Sequence, residues 1–106
     1  MTESNYEVIN MDFKHDKDRI YAKDANGRVV AEVCFTEIGE NTVCFDHTYT
    51  HPSLRGQGVA DSLMEAAVAE INERGLKATA TCSYARHWLS GHPEHADILD
   101  ARVRFK

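Results

Sequence analysis

Between residues 42 and 81 the apolar pattern changes character twice, and this stretch constrains the fold more than any other. Thr42–Thr50 is rich in β-branched and aromatic residues, as an extended strand requires. From position 59 the pattern switches: Val59, Leu63, Met64, Ala67, Val68 and Ile71 recur at spacings of three and four, the mark of an amphipathic helix. Gly75 follows as a helix stop, and residues 76–81 read as a short buried strand. A strand, a helix and a strand in this order imply a right-handed crossover between two parallel strands.

The flanking sequence supplies antiparallel partners. Arg19–Lys23 and residues 28–35 read as strands joined by Asp24-Ala25-Asn26-Gly27, whose Asn-Gly pair tolerates the positive φ of a tight hairpin turn. Gly39-Glu40-Asn41 is a second turn, and residues 6–11 are a candidate edge strand. The charged run His15-Asp16-Lys17-Asp18-Arg19 reads as a solvated turn. After the crossover, Ser83–Ser90 reads as a helix ended by Gly91, and His92-Pro93-Glu94 as a turn or short helix. The expected architecture is α+β, a mostly antiparallel sheet with one parallel pair and two main helices. At 106 residues the chain has room for one core, so residues 1–106 are expected to form a single domain.

Bulk properties narrow the function. Twelve basic against seventeen acidic residues leave a net charge of −5, which disfavours a binder of nucleic-acid backbones. Net charge does not describe a pocket, however, and a few local donors suffice for one anionic ligand. No apolar run reaches the ~20 residues of a bilayer span, and the polar start Met1-Thr2-Glu3-Ser4-Asn5 lacks the features of a signal peptide. Cys34, Cys44 and Cys82 are odd in number and form no Cys-x-x-Cys spacing, so a reducing, cytoplasmic setting is expected rather than a disulfide framework.

The segment Pro52-Ser53-Leu54-Arg55-Gly56-Gln57-Gly58-Val59-Ala60 joins the strand to the helix. Two glycines let the backbone turn tightly and let an anion approach its amides with no Cβ in the way. The first helical turn has donors without internal partners, and the helix dipole adds positive potential there. Together these make an anion site, to which Arg55 adds a charge-assisted bond. Taken alone, two glycines in three residues are also consistent with a plain strand-to-helix turn.

Arg55-x-x-Gly58-x-Ala60, following a strand and opening an amphipathic helix, resembles the Gln/Arg-x-x-Gly-x-Gly/Ala signature of the GNAT N-acetyltransferase superfamily. Over residues 28–99 the blocks His47-Thr48-Tyr49-Thr50, Arg55-Gly56-Gln57-Gly58, Cys82-Ser83-Tyr84 and His92-Pro93-Glu94 look like a small, single-domain subfamily of uncharacterised N-acetyltransferases. The resemblance implies a minimal fold of this type, with the parallel strands splayed around an acyl-coenzyme A site. It implies that Arg55, Gly56, Gln57, Gly58, Val59 and Ala60 hold the pyrophosphate of acetyl-coenzyme A, the co-substrate. It further implies that Asp46, His47, Thr48, Tyr49 and Thr50 border the pantetheine arm, and that Cys82, Ser83 and Tyr84 lie near the thioester.

The chain departs from the superfamily at one point. Where many members have an asparagine, then an alanine three residues on and a tyrosine seven residues on, this chain has Cys82, Ala85 and Leu89. The usual proton-donating tyrosine is missing. Cys82, at a strand end before a helix, is placed for a lowered pKa, and is a candidate proton donor or transient acyl carrier. It is equally a small residue of the kind that is often merely buried. Ser83 and Tyr84 are nearby substitutes. His47 is a candidate base for the substrate ammonium or a structural hydrogen bonder, and alternation would place it with Phe45 and Tyr49 and place Asp46 with Thr48 and Thr50. Asp46 is a second candidate base.

Cys82, His87, His92 and His95 match no paired zinc-ligand spacing, so no metal is expected. Three function classes follow. The first is an N-acetyltransferase acting on a primary amine, either a small molecule or a lysine. The second is a coenzyme A-binding module without catalysis, and the third a thiol-redox protein, for which no resolving cysteine is evident. No partner protein or interface is legible.

Overall fold

The computed structural model describes residues 12–100. Among the described residues five strands form one sheet in the order β1-β2-β3-β4-β5, namely β1 Lys14–Asp16, β2 Arg19–Lys23, β3 Val29–Gly39, β4 Thr42–Thr50 and β5 Lys77–Ala80. The first four are antiparallel neighbours, while β4 and β5 are parallel. Between these two runs α1, Val59–Glu73, which makes the expected crossover. Helix α2, Ser83–Ser90, follows β5, and 3-10 turns occupy Pro52–Leu54 and Pro93–Ile98. The α+β fold with one parallel pair is thus as the sequence predicts.

Two details differ. The run from His15 to Arg19 is not all turn, since Lys14–Asp16 pairs with β2 and only positions 17 and 18 turn. Every residue of that strand is exposed, so it carries none of the apolar alternation by which a strand is recognised. Strand β3 also runs on to Gly39, four residues beyond the apolar stretch, with an exposed end. The candidate strand at 6–11 lies outside the described residues.

One continuous core joins sheet and helices. Ile20, Ala31, Val33, Phe35, Val43, Phe45, Ala78 and Ala80 line one sheet face, and Val59, Leu63, Met64, Ala67, Val68 and Ile71 of α1 pack upon them with Ala85, Trp88 and Leu89 of α2. All six apolar positions read from the helical period are buried. Among the described residues no helix is long and apolar enough to cross a membrane.

The parallel pairing stops early. Thr42, Val43, Cys44 and Phe45 pair with Lys77, Ala78, Thr79 and Ala80. The amides of Thr81 and Cys82 then both donate to the Phe45 carbonyl, at 3.0 and 3.1 Å. Beyond Phe45, β4 keeps its partner β3 but parts from β5, which opens a cleft bounded by α2.

Candidate functional site

A cavity of about 470 Å³ occupies this cleft, lined by Thr48, Tyr49 and Thr50 of β4, the loop residues Leu54, Arg55, Gly56 and Gly58, then Val59, Ala60, Asp61 and Tyr84. The loop has a specific backbone reason for its sequence. Gly56 and Gly58 have φ of 80° and 81°, a left-handed conformation costly for residues with a Cβ. Nothing lies within 4 Å of where a Cβ on either would project, so the space above them is open to a ligand. Gly58 is the N-cap of α1, and the bond from Ser62 N to Gly58 O (3.0 Å) is the first of the helix. The amides of Val59, Ala60 and Asp61 therefore precede the helical ladder and face the loop end.

Side chains also brace the loop. His51 Nδ1 accepts from Ser53 N at 3.1 Å, and Arg55 Nε donates to Thr50 O at 3.3 Å. Gln57 Nε2 donates to Ser53 O at 2.9 Å. Gln57 does not line the cavity, so its part in the motif is to brace the turn.

Cys82 stands one layer behind the wall. Its sulfur is 3.4 Å from the Thr48 hydroxyl, and Thr48 lines the cavity. Cys82 is the N-cap of α2. Burial pushes its thiol up, but the Thr48 hydroxyl and the amides of Ala85, Tyr84 and Thr48 favour the thiolate, and the net result lies below the ordinary cysteine value. Cys34 shows the opposite balance: burial first, then the charges of Glu32 and Asp46, push it up to about 11. Because thiolate is the reactive form and grows as pH rises through the pKa, iodoacetamide should modify Cys82 well before Cys34 at pH 8. The Cys34 rate should still be climbing at pH 10, after that of Cys82 has levelled. Peptide mapping against time and pH reads this directly, and equal rates would contradict the assignment.

With Tyr49, Tyr84 is one of two phenols that line the cavity. Burial, and then the Asp61 charge, raise its pKa, so it stays protonated at neutral pH and can donate. Ser83 is exposed and does not line the cavity. Leu89, at the place of the expected tyrosine, is buried in the core.

His47 and Asp46 are placed differently from the alternation expected of them. Cys34 pairs with His47 while Phe35 pairs with Phe45, so Asp46 is an extra residue, a β-bulge. Phe45 faces the core, yet His47 faces the opposite side of the sheet, where its Nε2 is 3.2 Å from Glu32. Thr48 and Thr50 oppose Val33 and Ala31 and so point to the helix side. Asp46 does not join them; its carboxylate accepts from the Thr36 hydroxyl at 2.8 Å. His47 thus lies across the sheet from the contact between Thr48 and Cys82.

The model of the family described as GCN5-related N-acetyl-transferase matches residues 19–98. The chain belongs to this family. Relatives of this GCN5-related chain include protein NATD1 of Xenopus tropicalis, 33% identical over 82 residues that span 76% of this chain and 75% of that one. Protein NATD1 of Danio rerio is 33% identical over 89 residues, covering 82% and 80%. The solution structure of a GCN5-like protein from Staphylococcus aureus superposes with a TM-score of 0.72 at 30% identity, covering 88% of this chain and 94% of that one. The GCN5-related match therefore spans strands β2 to β5, the glycine loop and both helices.

Of the residues singled out from sequence, this family member gathers Thr48, Tyr49, Thr50, Arg55, Gly56, Gly58, Val59, Ala60 and Tyr84 around one cavity, with Cys82 against Thr48. Gln57, Ser83, Asp46 and His47 are outside its lining. Leu54 and Asp61 line it and were not singled out. Leu54 is the one apolar side chain in an otherwise polar loop, and Asp61 lies in the first helical turn; both facts are visible in the sequence.

Proposed function

We propose that the protein transfers an acetyl group from acetyl-coenzyme A to a primary amine. The observation that carries this is the convergence, on one cavity, of the left-handed glycine loop, the parted edge of β4 and Tyr84. The loop amides and Arg55 suit a pyrophosphate. The edge of Thr48 to Thr50, which no strand pairs among the described residues, suits the amide-bearing pantetheine arm, which would lie in the cleft as a strand does. The amine nitrogen attacks the thioester carbonyl, the carbon–sulfur bond breaks, and the departing thiolate takes a proton from Cys82 or Tyr84. Before attack the acceptor ammonium gives its proton to water, because His47 lies on the other face of the sheet.

The acceptor is a small amine or a lysine side chain. A net charge of −5 suits a cationic substrate and not a nucleic acid. Three free thiols suit a reducing cytoplasm. The test is release of free thiol from acetyl-coenzyme A in the presence of a polyamine, an amino-acid amide and a lysine peptide, with acetylated product confirmed by mass. Binding of coenzyme A without thiol release from any of them would replace this reading with a second one, a coenzyme A-binding module. The burial of Leu89 where the superfamily usually has its tyrosine favours that alternative.

A further inference from the structure

At the rim of the cavity, which Asp61 also lines, α1 and the last 3-10 turn bring together four metal-ligating side chains that nothing in acetyl transfer uses together. Asp61 and Glu65 are one helical turn apart on α1, and His92 and His95 are three residues apart at the start of Pro93–Ile98. His95 Nε2 is 3.2 Å from Glu65 Oε1, and His92 Nε2 is 4.0 Å from Asp61 Oδ1. One ligand atom each from Asp61, Glu65 and His92 lie within 4.8 Å of one another. We propose that Asp61, Glu65 and His92, with His95 beside them, form a binding site for a divalent transition-metal ion of the zinc or nickel type.

The surroundings of these groups go beyond what a surface ion pair needs. His92 Nδ1 is 2.6 Å from the Trp88 carbonyl. A carbonyl only accepts, so Nδ1 carries the proton, and in the neutral ring Nε2 keeps its lone pair for a metal. That Nε2 is the atom facing Asp61. Asp61 Oδ1 in turn accepts from Trp88 Nε1 at 2.6 Å. One buried tryptophan therefore orients both an imidazole and a carboxylate, which is the outer-shell arrangement that fixes metal ligands. Its ring also stacks on His92 at 3.7 Å and lies nearly parallel to His95 at 5.7 Å, which holds the two imidazoles side by side.

Mixed nitrogen and oxygen donors select zinc, nickel or cobalt over calcium and magnesium, which prefer oxygen alone. Bonds of about 2.0–2.2 Å to a tetrahedral ion set ligand atoms roughly 3.3 Å apart. The observed spacing of up to 4.8 Å must close to reach that, and Asp61 and Glu65, both exposed, have solvent around them in which to move. The site differs from the one considered in sequence: Cys82 and His87 take no part, and two carboxylates from α1 stand in their place. Sequence spacing hid it because the donors come from elements some thirty residues apart.

The test uses the full chain stripped with a chelator and titrated with zinc or nickel salts by calorimetry, followed by thermal unfolding with and without the ion. One ion should bind per chain and raise Tm, because it ties α1 to the Pro93–Ile98 turn. His92→Ala and Glu65→Gln should each weaken binding at least about tenfold and remove the Tm increase. Glu65→Gln alters an exposed side chain only, so it reports on binding even if His92→Ala unfolds. Absence of saturable binding, or equal affinity in Glu65→Gln and wild type, overturns the proposal and leaves the cluster as surface ion pairs. Both readouts are independent of acetyl transfer.

Discussion

Gly58→Glu is expected to weaken coenzyme A binding by about a hundredfold or more while the protein remains folded. Two effects combine. The left-handed backbone of Gly58, φ 81°, costs a residue with a Cβ about 1–2 kcal/mol, so the loop relaxes and its amides turn away from their common target. A carboxylate is also introduced where phosphates should sit. Loss of two amide–phosphate bonds at about 1.5 kcal/mol each already gives a hundredfold change. A Cβ at this position meets no atom within 4 Å, so the first carbon of the new side chain is not crowded. The proper control is Gly27→Ala, because Gly27 has the same φ of 81° and the same open surroundings in the hairpin turn between β2 and β3. Gly27→Ala should lower Tm with coenzyme A affinity intact. If Gly58→Glu binds as wild type does, by calorimetry, the loop is not the phosphate site.

Cys82→Ala is expected to lower turnover about a hundredfold or more, with coenzyme A affinity changed no more than a few-fold. The size is that of a lost general acid, and the split arises because the thiol touches Thr48 behind the cavity wall rather than the loop. Thr48→Val provides the mechanistic control. The Thr48 hydroxyl favours the thiolate, so its removal raises the Cys82 pKa and moves the associated limb of the pH–rate profile to higher pH. A spectator thiol would give no such movement. Intact mass after incubation with acetyl-coenzyme A alone separates the two chemical roles. An acetyl adduct on wild type but not on Cys82→Ala identifies a carrier, and no adduct with a slow variant identifies a proton donor. Full turnover by Cys82→Ala would pass the donor role to Tyr84, which lines the cavity as a protonated phenol.

Much of this was legible from sequence because it depends on local periodicity. The six buried positions of α1, the bounds of β2, β4 and α2, and the loop between strand and helix are all short-range patterns, and residue type alone decides them. The side to which β4 turns its residues is not of this kind. A bulge at Asp46 depends on how β3 registers against β4, and no feature of the pentapeptide around Asp46 marks it. That one inserted residue separates His47 from Cys82 and turns a plausible acid–base pair into groups on opposite faces. Strand β1 escaped notice for a related reason: its three residues are polar and exposed, and only pairing with β2 makes them a strand. The cluster of Asp61, Glu65 and His92 likewise exists only once the chain has returned across α1.

The parting of β4 from β5 has a consequence for the protein's behaviour in a crowded solution. From Asp46 to Thr50 one edge of β4 has no partner strand among the described residues. Bare edges of this sort recruit strands from other molecules and seed aggregates. Here the edge is five residues long, begins at a bulge that twists it out of line, and ends where Arg55 occupies the Thr50 carbonyl. A foreign strand would find too short and too bent a template, whereas a thin, flexible chain can still enter the gap. A short, interrupted edge of this kind disfavours pairing with a strand of another molecule.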